Sequence, residues 1–272
     1  MVYFESRSAH SAEDLDASPV LVKAIKSSIG TKMKSKLVNA FALLASTIWW
    51  SGAFTSSAQV ASPAKYLTPV VLRLETKWPK NHAVNIVCHG HSVPCGYFKT
   101  PAVNSLHAYP NLVRMALAEK YTNAVINVII TAIGGEASDQ GAARFDADVL
   151  SHKPDVVLID YALNDRRIGL ACSRTNWVAM IEHGRAAGAK IILFTPTPDQ
   201  SAKLDDAKDP LNQHAEQIRS LAAKFHVGLV DSLAAFKAEL ARGKALTNLM
   251  SQVNHPNARG HEVVANELLK WF

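Results

Sequence analysis

The feature that most constrains this chain is a short run of β-branched and aliphatic residues that keeps recurring. Such runs stand at Ala83 to Cys88, Ala124 to Ile130, Asp155 to Asp160, Lys190 to Thr195 and Val227 to Asp231. Each is almost continuously apolar rather than alternating, the pattern of strands covered on both faces. Helical stretches lie between and after them, at Leu112 to Lys120, Gly141 to Leu150, Asn176 to Ala187, His214 to Phe225 and Ala258 to Phe272. Strands spaced by helices predict an α/β domain: a three-layer α/β/α sandwich around a mostly parallel five-stranded sheet. In such sheets the ligand sits beyond the carboxyl ends of the strands. The residues just after each strand are therefore the candidate site.

The first 58 residues read differently. Lys32, Lys34 and Lys36 precede a stretch from Leu37 to Ala64 without a charged side chain, apolar as far as Phe54 and followed by Ser56-Ser57-Ala58. A basic region, an apolar region and a small-residue cleavage site, in that order, are the parts of a secretory signal. The signal lies deep in the chain, and a start at Met33 restores the usual geometry. Residues 1–58 are expected to be an extension plus a removable signal, 59–80 a linker or entry segment, and 81–272 the catalytic domain, secreted or periplasmic. The rival is an uncleaved anchor, since the uncharged run is long enough to span a bilayer. No cysteine directly follows the apolar run, which argues against a lipid-anchored start.

Charge then loses its message. The 29 basic and 23 acidic side chains give +6, but six of the former and four of the latter lie in residues 1–58, leaving +4. The remaining bases are scattered, with no basic stripe interleaved with aromatics, so nucleic acid is not an expected partner. Three cysteines are too few for a disulfide framework, and export leaves at least one thiol of Cys88, Cys95 and Cys172 unpaired.

After the first strand comes Gly90-His91-Ser92, after the second Gly134-Gly135-Glu136, and after the third Ala162-Leu163-Asn164-Asp165; far downstream lies Gln252-Val253-Asn254-His255. A hydroxyl nucleophile, a glycine, an amide and an imidazole base are the parts of an acyl-transfer site. In order and spacing these blocks resemble the SGNH/GDSL hydrolase superfamily over about Asn85 to Phe272. Tyr109-Pro110 ahead of a helix, Arg144 nine residues after Gly135, and His255-Pro256-Asn257 with Gly260-His261 fit the same pattern. The resemblance implies a flavodoxin-like sheet and a serine esterase. It assigns Ser92 as nucleophile, His255 as general base, and Ser92, Gly135 and Asn164 as the oxyanion hole, with no cofactor and no metal. Asp165 is expected to order the Asn164 loop and Glu136 to sit on the surface.

The blocks depart from the family pattern at three places. His91 replaces the aspartate before the serine, Ala162 replaces the block-three glycine, and Gln252 replaces the aspartate that orients the histidine. An amide oxygen can accept from the imidazole but offers no charge to the imidazolium; in a serine protease the corresponding change costs about 10⁴ in kcat. Three accounts stay open: a Ser-His dyad with backbone help, which is favoured; another carboxylate at His255; or impaired catalysis.

The expected substrate is a small acyl ester, by resemblance and export an acetyl group on carbohydrate. The alternative is a non-catalytic ester- or carbohydrate-binding module on the same scaffold. An α/β-hydrolase is a weaker rival, because Pro94 stands where its nucleophile elbow needs glycine. His89, His91, His255 and His261 invite a metal reading, but no acidic third ligand has matching spacing. Tyr97 and Trp177 are candidates for the cleft, with core packing the expected role of Trp177.

Overall fold

The computed structural model describes residues 59–272; the expected signal and extension lie outside them. Two short helices come first, α1 (Pro63–Tyr66) and α2 (Thr68–Glu75), followed by β1 (Ala83–Gly90) and the one-turn α3 (Ser92–Cys95). The chain continues through α4 (Tyr109–Lys120), β2 (Val125–Ile130), α5 (Ser138–Ala143), α6 (Phe145–Asp148), β3 (Val156–Asp160) and α7 (Gly169–Ala186). The last part holds β4 (Lys190–Phe194), α8 (Pro210–Phe225), β5 (Gly228–Val230), α9 (Ser232–Ala241), β6 (Met250–Gln252), β7 (His255–Pro256) and α10 (Ala258–Leu269).

The first five strands form one parallel sheet in the order β2-β1-β3-β4-β5. The strand order reverses between β1 and β3, and that is where a crevice opens beyond the strand ends. Successive strand residues face opposite sides, and the core divides accordingly. Val84, Ile86, Cys88, Val156, Leu158, Ile192 and Phe194 pack under α2, α4, α9 and α10. Val87, Val157, Ile159, Ile191 and Leu193 pack under α6, α7 and the C-terminal half of α8. These are the two outer layers expected from the sequence. No helix among the described residues is long and apolar enough to cross a membrane.

Three features differ from the sequence reading. β2 is an edge strand and is not covered on both faces: Val125 is 51% and Ile130 40% exposed. Its apolar run looks like that of a central strand, because periodicity does not report which strand ends up at the edge. The stretch 59–80, expected as a linker or entry segment, carries α1 and α2, and Leu67, Val70 and Leu74 of this segment are buried in the core. Its apolar residues recur at i, i+3 and i+7, which is the spacing of a one-sided helix. The helix expected over Gly141 to Leu150 is broken at Arg144, giving α5, α6 and a 3-10 turn.

Candidate active site

The serine half is built by the sheet. β1 ends at Gly90, where an added Cβ would stand 2.4 Å from the Asp160 carbonyl oxygen and 2.8 Å from the Pro94 ring. Only glycine lets the two strand ends approach so closely. His91 continues the pairing, its N–H donating to Asp160 O at 3.1 Å. It is then the N-cap of α3, its Nδ1 accepting from the Val93 N–H at 3.2 Å. Ser92 is thereby the first residue of α3, buried, with its own N–H donating to no group among the described residues.

The histidine half comes from elsewhere. β6 and β7 make a separate two-stranded antiparallel ribbon with a bulge between Met250 and Gln252. Ser251 Oγ donates to the carbonyls of His255 and Pro256, and Gly260 at the start of α10 leaves no room for a Cβ, which would stand 2.3 Å from Leu249 O. This packing delivers His255 Nε2 to 2.8 Å from Ser92 Oγ across 163 residues of chain. Burial is the main cause that holds the His255 pKa below the ordinary histidine value, while its bond to Phe98 works the other way. The ring is neutral near pH 7, as a base must be.

His255 Nδ1 has two neighbours: the Phe98 carbonyl at 3.0 Å and Gln252 Nε2 at 2.8 Å. The Gln252 oxygen, expected to face the ring, instead accepts the Thr100 backbone N–H at 3.0 Å. A main-chain N–H can only donate, so it fixes the amide with its nitrogen towards the imidazole. Among the described residues no carboxylate hydrogen-bonds to His255. Phe98 is held from behind, its ring stacked on His261 with centroids 5.0 Å apart. His261 is fully buried, accepts the Tyr109 N–H, and is kept neutral by burial, its pKa lowered to about 3.

Around the expected oxyanion position, Gly135 has φ +86°, a conformation glycine adopts without penalty. Its N–H, like that of Ser92, has no partner among the described residues. Asn164 opens a 3-10 turn and spends one amide hydrogen on Glu136 O at 2.8 Å, leaving the other. Arg167 Nη2 donates to Gly135 O at 2.5 Å, tying the second and third blocks together. Asp165 is buried and accepts from Ser138 N at 2.7 Å and Trp177 Nε1 at 2.6 Å. It anchors the Asn164 turn to α5 and α7, as the sequence suggested, and burial raises its pKa.

Glu136 is not a surface residue. Its carboxylate accepts from Arg144 at 2.7 Å, and Tyr161 bridges Arg144 and His89 beneath. His89 is neutral, its pKa lowered to about 4, chiefly by burial. Its Nδ1 lies 2.9 Å from Thr131 Oγ1 and its Nε2 faces Gly141 O. With His261 bonded to the Tyr109 backbone, the sequence histidines have separate partners. Among the described residues no group of three or more His, Cys, Asp or Glu is placed to hold a metal. Cys88, Cys95 and Cys172 are free thiols, and burial raises the pKa of Cys95 to about 11. Trp177 is core, whereas Tyr97 lies beside the site, its ring 6.1 Å from that of His255 and packed over Gly134. The sequence reading missed Phe98, Thr100 and Arg167. The first two act through main-chain atoms, which leave no side-chain signature, and Arg167 belongs to the one adjacent pair of bases after residue 58, Arg166-Arg167, which by pattern alone is surface charge.

A GDSL-like lipase/acylhydrolase family model matches residues 88–263, which span all four blocks. The chain belongs to that family. It is a carboxylic ester hydrolase of the SGNH/GDSL superfamily. An acetylxylan esterase of Geobacillus stearothermophilus is 25% identical over 162 residues, 55% of this chain and 74% of that protein. A solved structure of an acetyl xylan esterase variant from the same organism superposes with a TM-score of 0.61 at 22% identity, covering 69% of this chain and 94% of that one. A two-domain esterase active on acetylated mannans superposes with a TM-score of 0.63 at 20% identity, covering 79% of this chain and 53% of that one. Variants described as catalytic mutants of the Geobacillus enzyme replace a serine, a histidine and an aspartate. A Bacillus subtilis lipoprotein is 32% identical over 81 residues, 27% of this chain and 33% of that protein.

Proposed function

We propose that this family member is an exported esterase that removes acetyl or similarly small acyl groups from carbohydrate hydroxyls. The observation that carries the mechanism is the 2.8 Å approach of His255 Nε2 to Ser92 Oγ between two separately built halves. Ser92 Oγ attacks the ester carbonyl as His255 takes its proton. The tetrahedral oxyanion is met by the N–H groups of Ser92 and Gly135 and the free amide hydrogen of Asn164. His255 then protonates the departing sugar oxygen, and water hydrolyses the acyl-Ser92 ester by the same groups in reverse. The Phe98 carbonyl takes the orienting place at Nδ1, so the reading is a Ser-His dyad with backbone help. The sugar is supported by the acetylxylan esterase relative and the mannan-active neighbour. Export is supported by the basic, apolar and small-residue order of residues 32–58. N-terminal sequencing of protein recovered outside the cytoplasm is expected to begin after Ala58, and retention of Met1 there would contradict that.

The decisive assay compares residues 59–272 with the Ser92→Ala variant on p-nitrophenyl acetate and acetylated xylan. The parent is expected to release acetate and the variant to lose at least about 10³-fold in kcat/KM. Equal rates would remove Ser92 from the mechanism. One observation favours a second reading, a non-catalytic module that binds acylated sugar: the amide at Gln252 where the family carries a carboxylate. That reading predicts binding of acetylated oligosaccharide without turnover, and no labelling of Ser92 by a fluorophosphonate.

A further inference from the structure

We infer that Gln252 is a tautomer-selecting residue that holds part of the enzyme in an unproductive proton arrangement, with His91 as the acceptor that makes this arrangement possible. The inference rests on the proposed roles of Ser92 and His255. It follows from counting hydrogens at one nitrogen. His255 Nδ1 faces an obligate acceptor, Phe98 O at 3.0 Å, and also an amide N–H donor, Gln252 Nε2 at 2.8 Å. A neutral imidazole satisfies one of these partners and mismatches the other.

When Nδ1 carries the proton, it donates to Phe98, and the Nε2 lone pair faces Ser92 Oγ. This is the arrangement a base requires, and it sets the Nδ1 hydrogen against the Gln252 amide. When Nε2 carries the proton, Nδ1 accepts from Gln252 and His255 donates to Ser92 Oγ. The serine hydroxyl hydrogen then needs another acceptor, and the structure supplies one. His91 Nδ1 lies 3.4 Å from Ser92 Oγ. That nitrogen's single lone pair already accepts the Val93 N–H at 3.2 Å, so the His91 proton is on Nε2 and the serine hydrogen shares the lone pair in a longer, three-centre contact. His91 Nε2 stands 3.4 Å from Asp160 Oδ1, both side chains almost fully buried, and Tyr109 OH donates to the other carboxylate oxygen at 3.4 Å. A donor-acceptor chain thus runs from the Thr100 N–H through Gln252, His255 and Ser92 to His91, whose Nε2 lies near the Asp160 carboxylate without a hydrogen bond to it.

Gln252 cannot leave the competition by turning over. Rotation of the amide would set its nitrogen against the Thr100 N–H and strand two donors face to face. The amide nitrogen, which also faces Asn254 Oδ1 at 3.1 Å and Thr100 Oγ1 at 3.3 Å, stands nearest to His255 Nδ1, where the family pattern places a carboxylate. Only the fraction of molecules in the first tautomer has a base ready for Ser92, so the apparent turnover is reduced by that fraction.

The test is direct. In full-length protein with ¹⁵N-labelled histidine, long-range ¹H–¹⁵N correlation at pH 7.5 reports which ring nitrogen of His255 is protonated, assigned with His255→Gln. The parent is expected to show protonated Nε2 or an average shifted towards it. Gln252→Met, which keeps length and removes the donor, is expected to move the signal to protonated Nδ1. Its kcat on p-nitrophenyl acetate is expected to rise several-fold with KM nearly unchanged, and Gln252→Glu, which supplies acceptor oxygens, is expected to raise it further. A parent signal from pure Nδ1–H, unmoved in Gln252→Met, would overturn the inference, as would a fall in kcat in a folded Gln252→Met protein. The spectrum needs no turnover, so a failure of the esterase reading, seen as equal activity in Ser92→Ala, is distinguished from a failure of this one.

Discussion

Ser92 stands at the head of α3, two residues beyond β1 of the five-stranded sheet, whereas His255 stands in a two-residue strand of a small ribbon. The serine side is fixed by main-chain contacts without slack: Gly90 against Asp160 O, the His91 N–H on the same oxygen, and the α3 cap. The histidine side is fixed by the side-chain amides of Gln252 and Asn254, the Phe98 carbonyl and the Thr100 N–H. A sheet end tolerates little change in its own residues, because parallel pairing and layer packing both depend on it. A ribbon held by a loop can exchange one hydrogen-bonding group for another while the ring stays within reach of the serine. The departure with the most consequence for catalysis, Gln252, lies on the ribbon side.

The largest effects test whether the two halves act as one unit. Ser92→Ala and His255→Ala are each expected to lower kcat by about 10⁴ or more, and the double variant to be hardly worse than either, as groups acting in concert are grossly non-additive. Additive losses in p-nitrophenyl acetate kinetics would break the pairing. Next comes the oxyanion side: Asn164→Ala is expected to cost about 10² to 10³ in kcat with little change in KM, while the thermal midpoint barely moves because the buried anchor of the turn is Asp165. A large drop in midpoint would make Asn164 a structural residue instead.

Replacing the ribbon's amide by the family's carboxylate comes third. Gln252→Asp is expected to raise kcat by about 10-fold, since a negative charge within about 4–6 Å favours the imidazolium formed in the transition state. The same charge raises the His255 pKa, so the acid limb of the kcat/KM profile is expected to move to higher pH. In the parent the limb is expected below the ordinary histidine value, because burial lowers that pKa. A profile that stays put on substitution would mean that residue 252 does not reach the ring electrostatically.

Stability carries a pH signature from the histidines that pack around both halves. His89 and His261 are neutral when folded, with pKa values of about 4 and about 3, and titrate near 6.5 when unfolded. The unfolded chain therefore binds protons first as pH falls. Their contribution is complete above about pH 6.5 and is lost progressively down to about pH 4 for His89 and about pH 3 for His261, on the order of 3 and 5 kcal/mol respectively. Urea unfolding at steps across that range should show the decline, and a flat line would mean that these rings are not desolvated. The smallest expected effect is Gly135→Ala. Nothing lies within 4 Å of the added Cβ, so only the left-handed backbone is strained. A cost of about 1–2 kcal/mol corresponds to a fall of a few degrees in the thermal midpoint.

The sequence by itself determined the layered α/β architecture, since apolar runs of strand length separated by helices leave few other ways to bury both faces. Through the resemblance of its four blocks it also singled out Ser92, Gly135, Asn164 and His255 as the candidate site. The pattern at Leu67, Val70 and Leu74 is too short to separate a helix from an entry segment, so α1 and α2 are not legible in it, and the edge position of β2 depends on partners rather than pattern. Only the tertiary structure decided what faces His255 Nδ1. A main-chain carbonyl at Phe98, a main-chain N–H at Thr100 and the amide direction that it imposes on Gln252 are properties of folded geometry. Every residue but proline carries the same N–H and every residue the same C=O, so nothing in the string of side chains marks the ones that a fold will bring to its active site.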